Sequence, residues 1–214
     1  MTITLYDYWR SSAAYRLRIT LNHLGLDYGA IPVDLVKGEH RAAENLARNP
    51  QGLVPTLEVD DHSLTQSLAI IEYLNETRHA GLLPDTALGR ARVRRLSYAV
   101  AMEIHPVCNL SVAKYATENS GGNITMKSWM QAFIPRGLQA VETMLSEPQT
   151  GDFCHGDRLG MADICLVPQI YNARRWEVDL SGMPQINRIM QRLESIKAVA
   201  DAHPDRHQPP QPSA

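Results

Sequence analysis

Every strand signal in this chain lies before Leu83-Pro84, and the strands there alternate with helices. Ile3 to Tyr6 reads as a short strand, and Ser11 to Leu24 places Leu17, Leu21 and Leu24 at helical spacing ahead of Gly25. Tyr28 to Val33 reads as a second strand, and the charged stretch from Lys37 to Arg48 contains a helix. Thr56-Leu-Glu-Val59 and His62-Ser-Leu64 flank Asp60-Asp61 as a tight hairpin. Ser67 then opens a helix with Ala69, Ile70, Tyr73 and Leu74 on its apolar face. That order predicts a small mixed sheet covered by helices. Beyond Leu83-Pro84 only helical spacing remains: Thr86 to Glu118 with a kink at Pro106, Thr125 to Ser146 containing Pro135, Met161 to Arg174, and Met183 to Ala202. The chain is thus expected to divide into an α/β domain at 1–82, an all-α domain at 86–206 and a flexible, proline-rich tail at 207–214.

Composition narrows the function classes. With 214 residues, 44% of them hydrophobic, the chain can bury a core without disulfides. A net charge of −2 supplies no basic field for nucleic acid. Three cysteines without a CxxC pair offer neither a disulfide framework nor a zinc ribbon, and no metal site is expected. The N-terminus has no basic region followed by an apolar run, and no stretch approaches the roughly 18 apolar residues of a membrane span. The expectation is a cytoplasmic protein with no membrane partner.

Three places could carry chemistry. Tyr8-Trp9-Arg10-Ser11-Ser12 joins the first strand to the first helix. A hydroxyl there either caps backbone N–H groups or, with the partial positive charge of the helix N-terminus, stabilises an anion such as a thiolate. Both readings stand, but no cysteine is present at this point, so the sulfur would come from outside. Asn49-Pro-Gln-Gly-Leu-Val54-Pro55-Thr56 is a turn device, or, with a cis bond at Pro55, leaves the Val54 backbone open to an extended peptide. Gln66-Ser67 either caps its helix or holds a carboxylate.

Arg10-Ser-Ser-Ala-Ala-Tyr-Arg-Leu-Arg-Ile-Thr-Leu21 resembles the N-terminal signature S-S-C-x-W-R-x-R-I-A-L of zeta-class glutathione transferases. Asn49 to Leu57, Gln66 to Arg78, Met161 to Gln169 and Asn172 to Leu180 are similar to the same family in order and spacing. The resemblance covers nearly the whole chain. It implies a thioredoxin-like N-terminal domain, an all-helical C-terminal domain, a homodimer, and glutathione as cofactor. Position by position, it implies Ser11 as hydroxyl donor to the glutathione sulfur with Ser12 beside it, and Val54, ahead of a cis Pro55, as the backbone partner of the cysteinyl residue. It further implies Gln66 and Ser67 at the γ-glutamyl end, and His40, His105, Asn109 and Ser111 as additional glutathione contacts. The implied reaction is cis–trans isomerisation of a maleyl dioxo acid, maleylacetoacetate first and maleylpyruvate as runner-up. A general transferase or a non-catalytic binder of the same fold remains as the other class. Arg10 and Arg175, with Arg174 less firmly, are the expected holders of the substrate carboxylates.

Two departures from the family pattern bear on this. The motif cysteine is Ala13 here, which removes any role for that thiol but not the thiol of glutathione. Gly160-Met-Ala-Asp163 lacks the hydroxyl of the family's capping box, leaving Asp163 to accept from the Gly160 N–H. Arg90, Arg92, Arg94 and Arg95 read as a solvated face or a dimer contact. Cys154 and Cys165 read as buried apolar residues.

Overall fold

Strand β1 (Ile3–Asp7) lies parallel to β2 (Tyr28–Pro32) and antiparallel to β3 (Thr56–Val59), and β4 (His62–Thr65) completes the order β2–β1–β3–β4. The computed structural model describes residues 3–209. Leu5 opposes Leu57 at the centre of the sheet, and both are fully buried. Asp60 and Asp61 take φ of 53° and 62°, the left-handed backbone conformation that lets a two-residue turn match the right-handed twist of β3 and β4. α1 (Ser12–His23) connects β1 to β2, and α3 (Ser67–Thr77) follows β4. The predicted helix at 37–48 is two pieces, a 3₁₀ turn at Glu39–Arg41 and α2 (Ala43–Arg48). Ala42 is extended between them, with ψ of 149°.

α1 is not the amphipathic helix that Leu17, Leu21 and Leu24 suggest. All residues from Ala14 to Leu21 are buried, two arginines among them. Arg18 has no exposed side-chain surface. Its Nη1 donates to Asp7 Oδ2 at 2.5 Å, its Nη2 to the Trp9 carbonyl at 2.9 Å and its Nε to the Ala202 carbonyl at 3.1 Å. One guanidinium thereby satisfies groups from three segments.

The second unit, Gly81–Ser195, is helical. Thr86 caps α4 (Ala87–Tyr98), accepting from Gly89 N at 3.1 Å. The backbone continues as a π-helical stretch, Ala99–Ile104, into the short α5 (His105–Val107). The predicted kink at Pro106 is therefore a change of helical pitch. Pro106 has no N–H to give the carbonyl four residues back, and the ladder ahead of it runs over five, with His105 N–H bonded to Val100 O. The actual break falls at Cys108, after which Asn109 caps α6 (Leu110–Glu118). α7 (Met126–Met144) carries Pro135 inside it, and α8 (Met161–Arg175), buried continuously from Met161 to Ile170, runs through the unit's core. α9 (Pro184–Glu194) ends at Ser195, so the predicted helix from Met183 to Ala202 is interrupted.

Its remainder, α10 (Lys197–Asp201), and the 3₁₀ turn Pro204–Arg206 belong with the first unit, which comprises Met1–Ala80 and Ile196–Ala214. The chain thus divides differently from the expected 86–206 domain. The cause is α1, whose Arg18 and Asn22 reach the Ala202 and Ala198 carbonyls, while Tyr15 meets His203 edge to face. Of the tail expected at 207–214, His207 is half-buried, its Nε2 at 3.0 Å from Asp201 O, and residues 210–214 lie outside those described.

The basic run is also different from a solvated face. Arg92 is buried and bonds to Cys154 O, Thr150 Oγ1 and Glu147, and Arg95 shares Glu147. Cys108, Cys154 and Cys165 are buried thiols. Asp163 accepts from Gly160 N at 2.9 Å and from Cys154 N at 2.8 Å. Burial pushes its carboxyl from 3.8 up to about 6, against those two donors. A carboxyl raised on folding contributes stability that is full below the unfolded value and is lost as pH rises through the folded one. The stability of wild type relative to Asp163→Asn is therefore expected to fall between about pH 4 and pH 6 and to level off above. Urea unfolding across that range tests this; a difference that grows with pH contradicts it.

Candidate active site

In the first unit, one end of the sheet gathers eight of the sequence candidates on the connections that meet it. Ser11 stands at the N-terminus of α1, extended at ψ of 120°, and its Oγ accepts from Ala14 N at 3.2 Å. A serine hydroxyl has two lone pairs and one proton. Capping uses a lone pair, and the O–H stays free to donate, so the two readings of this serine are compatible. Ser12 is the first helical residue, half-buried beside it.

The loop before β3 is held by Asn49, buried at the end of α2. Its Nδ2 donates to Leu53 O at 3.0 Å, and its Oδ1 accepts from Gln51 N at 3.1 Å. The Val54–Pro55 bond is cis. Among the described residues neither the amide nor the carbonyl of Val54 has a hydrogen-bond partner. His40 borders the same loop, since a Cβ on Gly52 would stand 3.3 Å from its carbonyl oxygen. Burial, seconded by Arg41, lowers the His40 imidazole pKa, and its Nδ1 is buried without a partner.

Gln66 takes φ of 68° and ψ of 106°, a left-handed backbone unusual for a residue with a Cβ. No side chain caps α3, which leaves first-turn N–H groups available to an outside acceptor. Gln66 Nε2 donates to Gln51 Oε1 at 2.7 Å, and the buried Ser67 hydroxyl accepts from Arg16 Nη1 at 3.2 Å. Asn49 and Gln51 belong to the candidate stretch Asn49 to Thr56 without an assigned role there, and Arg16 has none either. Neither Arg16, one of two arginines in α1, nor Gln51 carries a sequence signal of these bonds.

Among the unit's arginines, Arg10 lies with its guanidinium carbon 4.6 Å from the Trp9 ring centroid and donates to the Tyr8 hydroxyl at 3.1 Å. The remaining candidates belong to the second unit. Asn109 Oδ1 accepts from Ser111 N at 3.0 Å and from Ser111 Oγ at 2.9 Å, so these two residues build the cap of α6. His105 begins α5 and is half-buried. Arg174 is ion-paired with Glu194, and Arg175 packs over the Trp176 ring at 5.1 Å. Among the described residues no three His, Cys, Asp or Glu side chains could hold a metal ion, and no helix is long and apolar enough to cross a membrane.

Residues 1–76 match the glutathione S-transferase N-terminal domain, and residues 105–201 the glutathione S-transferase C-terminal domain. The maleylacetoacetate isomerase of Rhizobium meliloti is 60% identical over 207 residues, covering 96% of this chain and 97% of that protein. A holo structure of maleyl pyruvate isomerase, a bacterial zeta-class glutathione S-transferase, superposes with a TM-score of 0.90 at 39% identity, covering 94% of this chain and 96% of the other. The maleylacetoacetate isomerase of Methylobacterium extorquens AM1, solved with malonate and glutathione bound, gives a TM-score of 0.91 at 40% identity, covering 98% and 100%. With two family domains matched in order and a relative this similar along its whole length, the chain belongs to the zeta-class glutathione transferase and maleylacetoacetate isomerase family.

Proposed function

We propose that this chain binds glutathione and uses it as a regenerated cofactor to convert a maleyl dioxo acid, maleylacetoacetate, from the cis to the trans isomer. The observation that carries the reading is the open hydrogen-bonding set of the first unit, namely the unpartnered Val54 backbone beside the uncapped start of α3. An amide pair and a cluster of N–H groups suit a short peptide ending in a carboxylate. The choice of acid follows the 60% identical relative. Maleylpyruvate is the second reading, favoured by the superposition with a maleyl pyruvate isomerase.

Each residue has a task in this scheme. Glutathione, when bound, supplies a thiolate that adds reversibly to the double bond and so frees it to rotate. Ser11 donates its O–H to that sulfur while its lone pair caps α1, and the helix N-terminus adds partial positive charge. Val54 supplies an N–H and a C=O to the peptide. Gln66, Ser67 and the first turn of α3 hold the γ-glutamyl end, with buried Arg16 fixing the Ser67 hydroxyl. His40, His105, Asn109 and Ser111 are further contacts in this proposal. Arg10 and Arg175 take the acid's carboxylates; Arg174, engaged by Glu194, contributes less.

Ser67→Ala is expected to weaken glutathione binding by about ten- to a hundredfold, the range for a charge-assisted hydrogen bond. Wild-type affinity by calorimetry would move the γ-glutamyl end elsewhere. The reaction itself is tested by following both maleyl acids with and without glutathione. Trans product that requires glutathione supports the reading. No product from either acid, with glutathione bound, leaves a ligand-binding protein of the same fold. The protein is further proposed to work as a cytoplasmic homodimer, and the exposed Tyr98 and Met102 offer apolar surface for a second copy. Sedimentation and cell fractionation decide those two points.

A further inference from the structure

The first unit contains a cavity of about 620 Å³ beside the loop that carries Ser11, within the size range of small-molecule sites. Tyr8, Trp9 and Arg10 line one side, Val33 another, and Arg206 and His207 of the C-terminal segment a third. Its walls are tied together. Arg18 donates to Trp9 O on one side and to Ala202 O on the other, and the His207 ring is held at Asp201 O.

Charge decides what the cavity can take. Two carboxylates line it: Asp7, whose Oδ2 is taken by Arg18 while its Oδ1 has no partner, and Asp34. Asp34 accepts from Val36 N at 2.8 Å and Lys37 N at 3.2 Å. Two arginines line it as well. Arg10 stands with its guanidinium carbon 4.6 Å from the Trp9 ring centroid, and Arg206 spends Nη1 on Asp201 at 2.9 Å. Each retains further donors in a planar fork that fits a carboxylate.

We propose that this cavity receives the end of the dioxo acid remote from its double bond, with Arg10 and Arg206 sharing that carboxylate; the assignment rests on the isomerase reading above. Trp9, which also lines the cavity, supplies apolar surface beside the dioxo segment. The C-terminal segment thereby sets specificity for the far end of the substrate. No sequence signal points to Arg206, the last residue before the proline-rich tail.

The probe is the saturated dioxo diacid, which has both carboxylates but no double bond, titrated by calorimetry against the full chain. The same acid esterified at the far carboxylate is the control. Arg206 is 63% exposed, so its removal is compatible with folding. Arg206→Ala is expected to bind the diacid about tenfold more weakly and the ester unchanged, with Arg206→Lys between. Glutathione affinity, titrated separately, stays at the wild-type value. Equal losses for diacid and ester, no loss for either, or no binding of the diacid to wild type would overturn the proposal. Failure of the isomerase reading has a different signature: wild type then forms no trans product with glutathione, whatever the titrations give.

Discussion

Arg18→Met is expected to destabilise the first unit by about 3–5 kcal/mol, the range for breaking one side of a buried ion pair. The substitution keeps much of the side chain's volume but strands Asp7, which is 5% exposed and already has one oxygen without a partner. It also releases the carbonyls of Trp9 and Ala202. The double variant Asp7→Ala/Arg18→Met is expected to lose less than the single one, because no uncompensated charge remains. Thermal melts and hydrogen exchange of α1 amides read both effects. A single-variant loss below about 1 kcal/mol, the scale of a surface ion pair, would mean that water reaches the pair and that Arg18 does not tie the three segments together.

Ser11→Ala is expected to raise the pKa of bound glutathione by at least about one unit and to slow isomerisation roughly tenfold or more at neutral pH. It also removes the cap of α1, which costs about 1 kcal/mol. Ser11→Gly separates the two roles. Glycine at an N-cap loses only a few tenths of a kcal/mol, yet it has no hydroxyl to donate. The glycine variant should therefore be nearly as stable as wild type and as slow as the alanine one. A spectrophotometric titration of the bound thiol that finds no upward shift in either variant would remove Ser11 from the chemistry and make Ser12 the next hydroxyl to test.

The sheet was legible because each strand is short, bounded by turn residues and separated by helices, and the hairpin because Asp60-Asp61 favours the backbone it needs. The glutathione candidates came from resemblance, since helix N-termini at Ser11 and Ser67 look the same in sequence whether they cap or bind. Two parts were hidden. The burial of α1 rests on partners distant in the chain, Asp7 before it and Ala202 far beyond, so Arg16 and Arg18 passed as ordinary charged positions. The return of the C-terminal segment to the first unit was masked by helical spacing that continues through Ser195-Ile196, where the backbone breaks. Arg92 shows the same effect in the second unit: a run of four arginines gives no hint that one of them is buried against Cys154 and Thr150.

Among the remaining candidates, Asn109 and Ser111 now have a structural occupation as the cap of α6, whatever else they contact. The open groups at Val54 and α3 have none within the described chain and stay available to a ligand.

Conversion of maleylacetoacetate with glutathione held at a small fraction of the substrate concentration tests that account most directly. If the chain regenerates glutathione at each turnover, all of the substrate should become the trans isomer, and the free thiol recovered at the end should equal what was added. Conversion that stops at one product per glutathione, with the thiol consumed, would contradict it and identify a conjugating transferase instead.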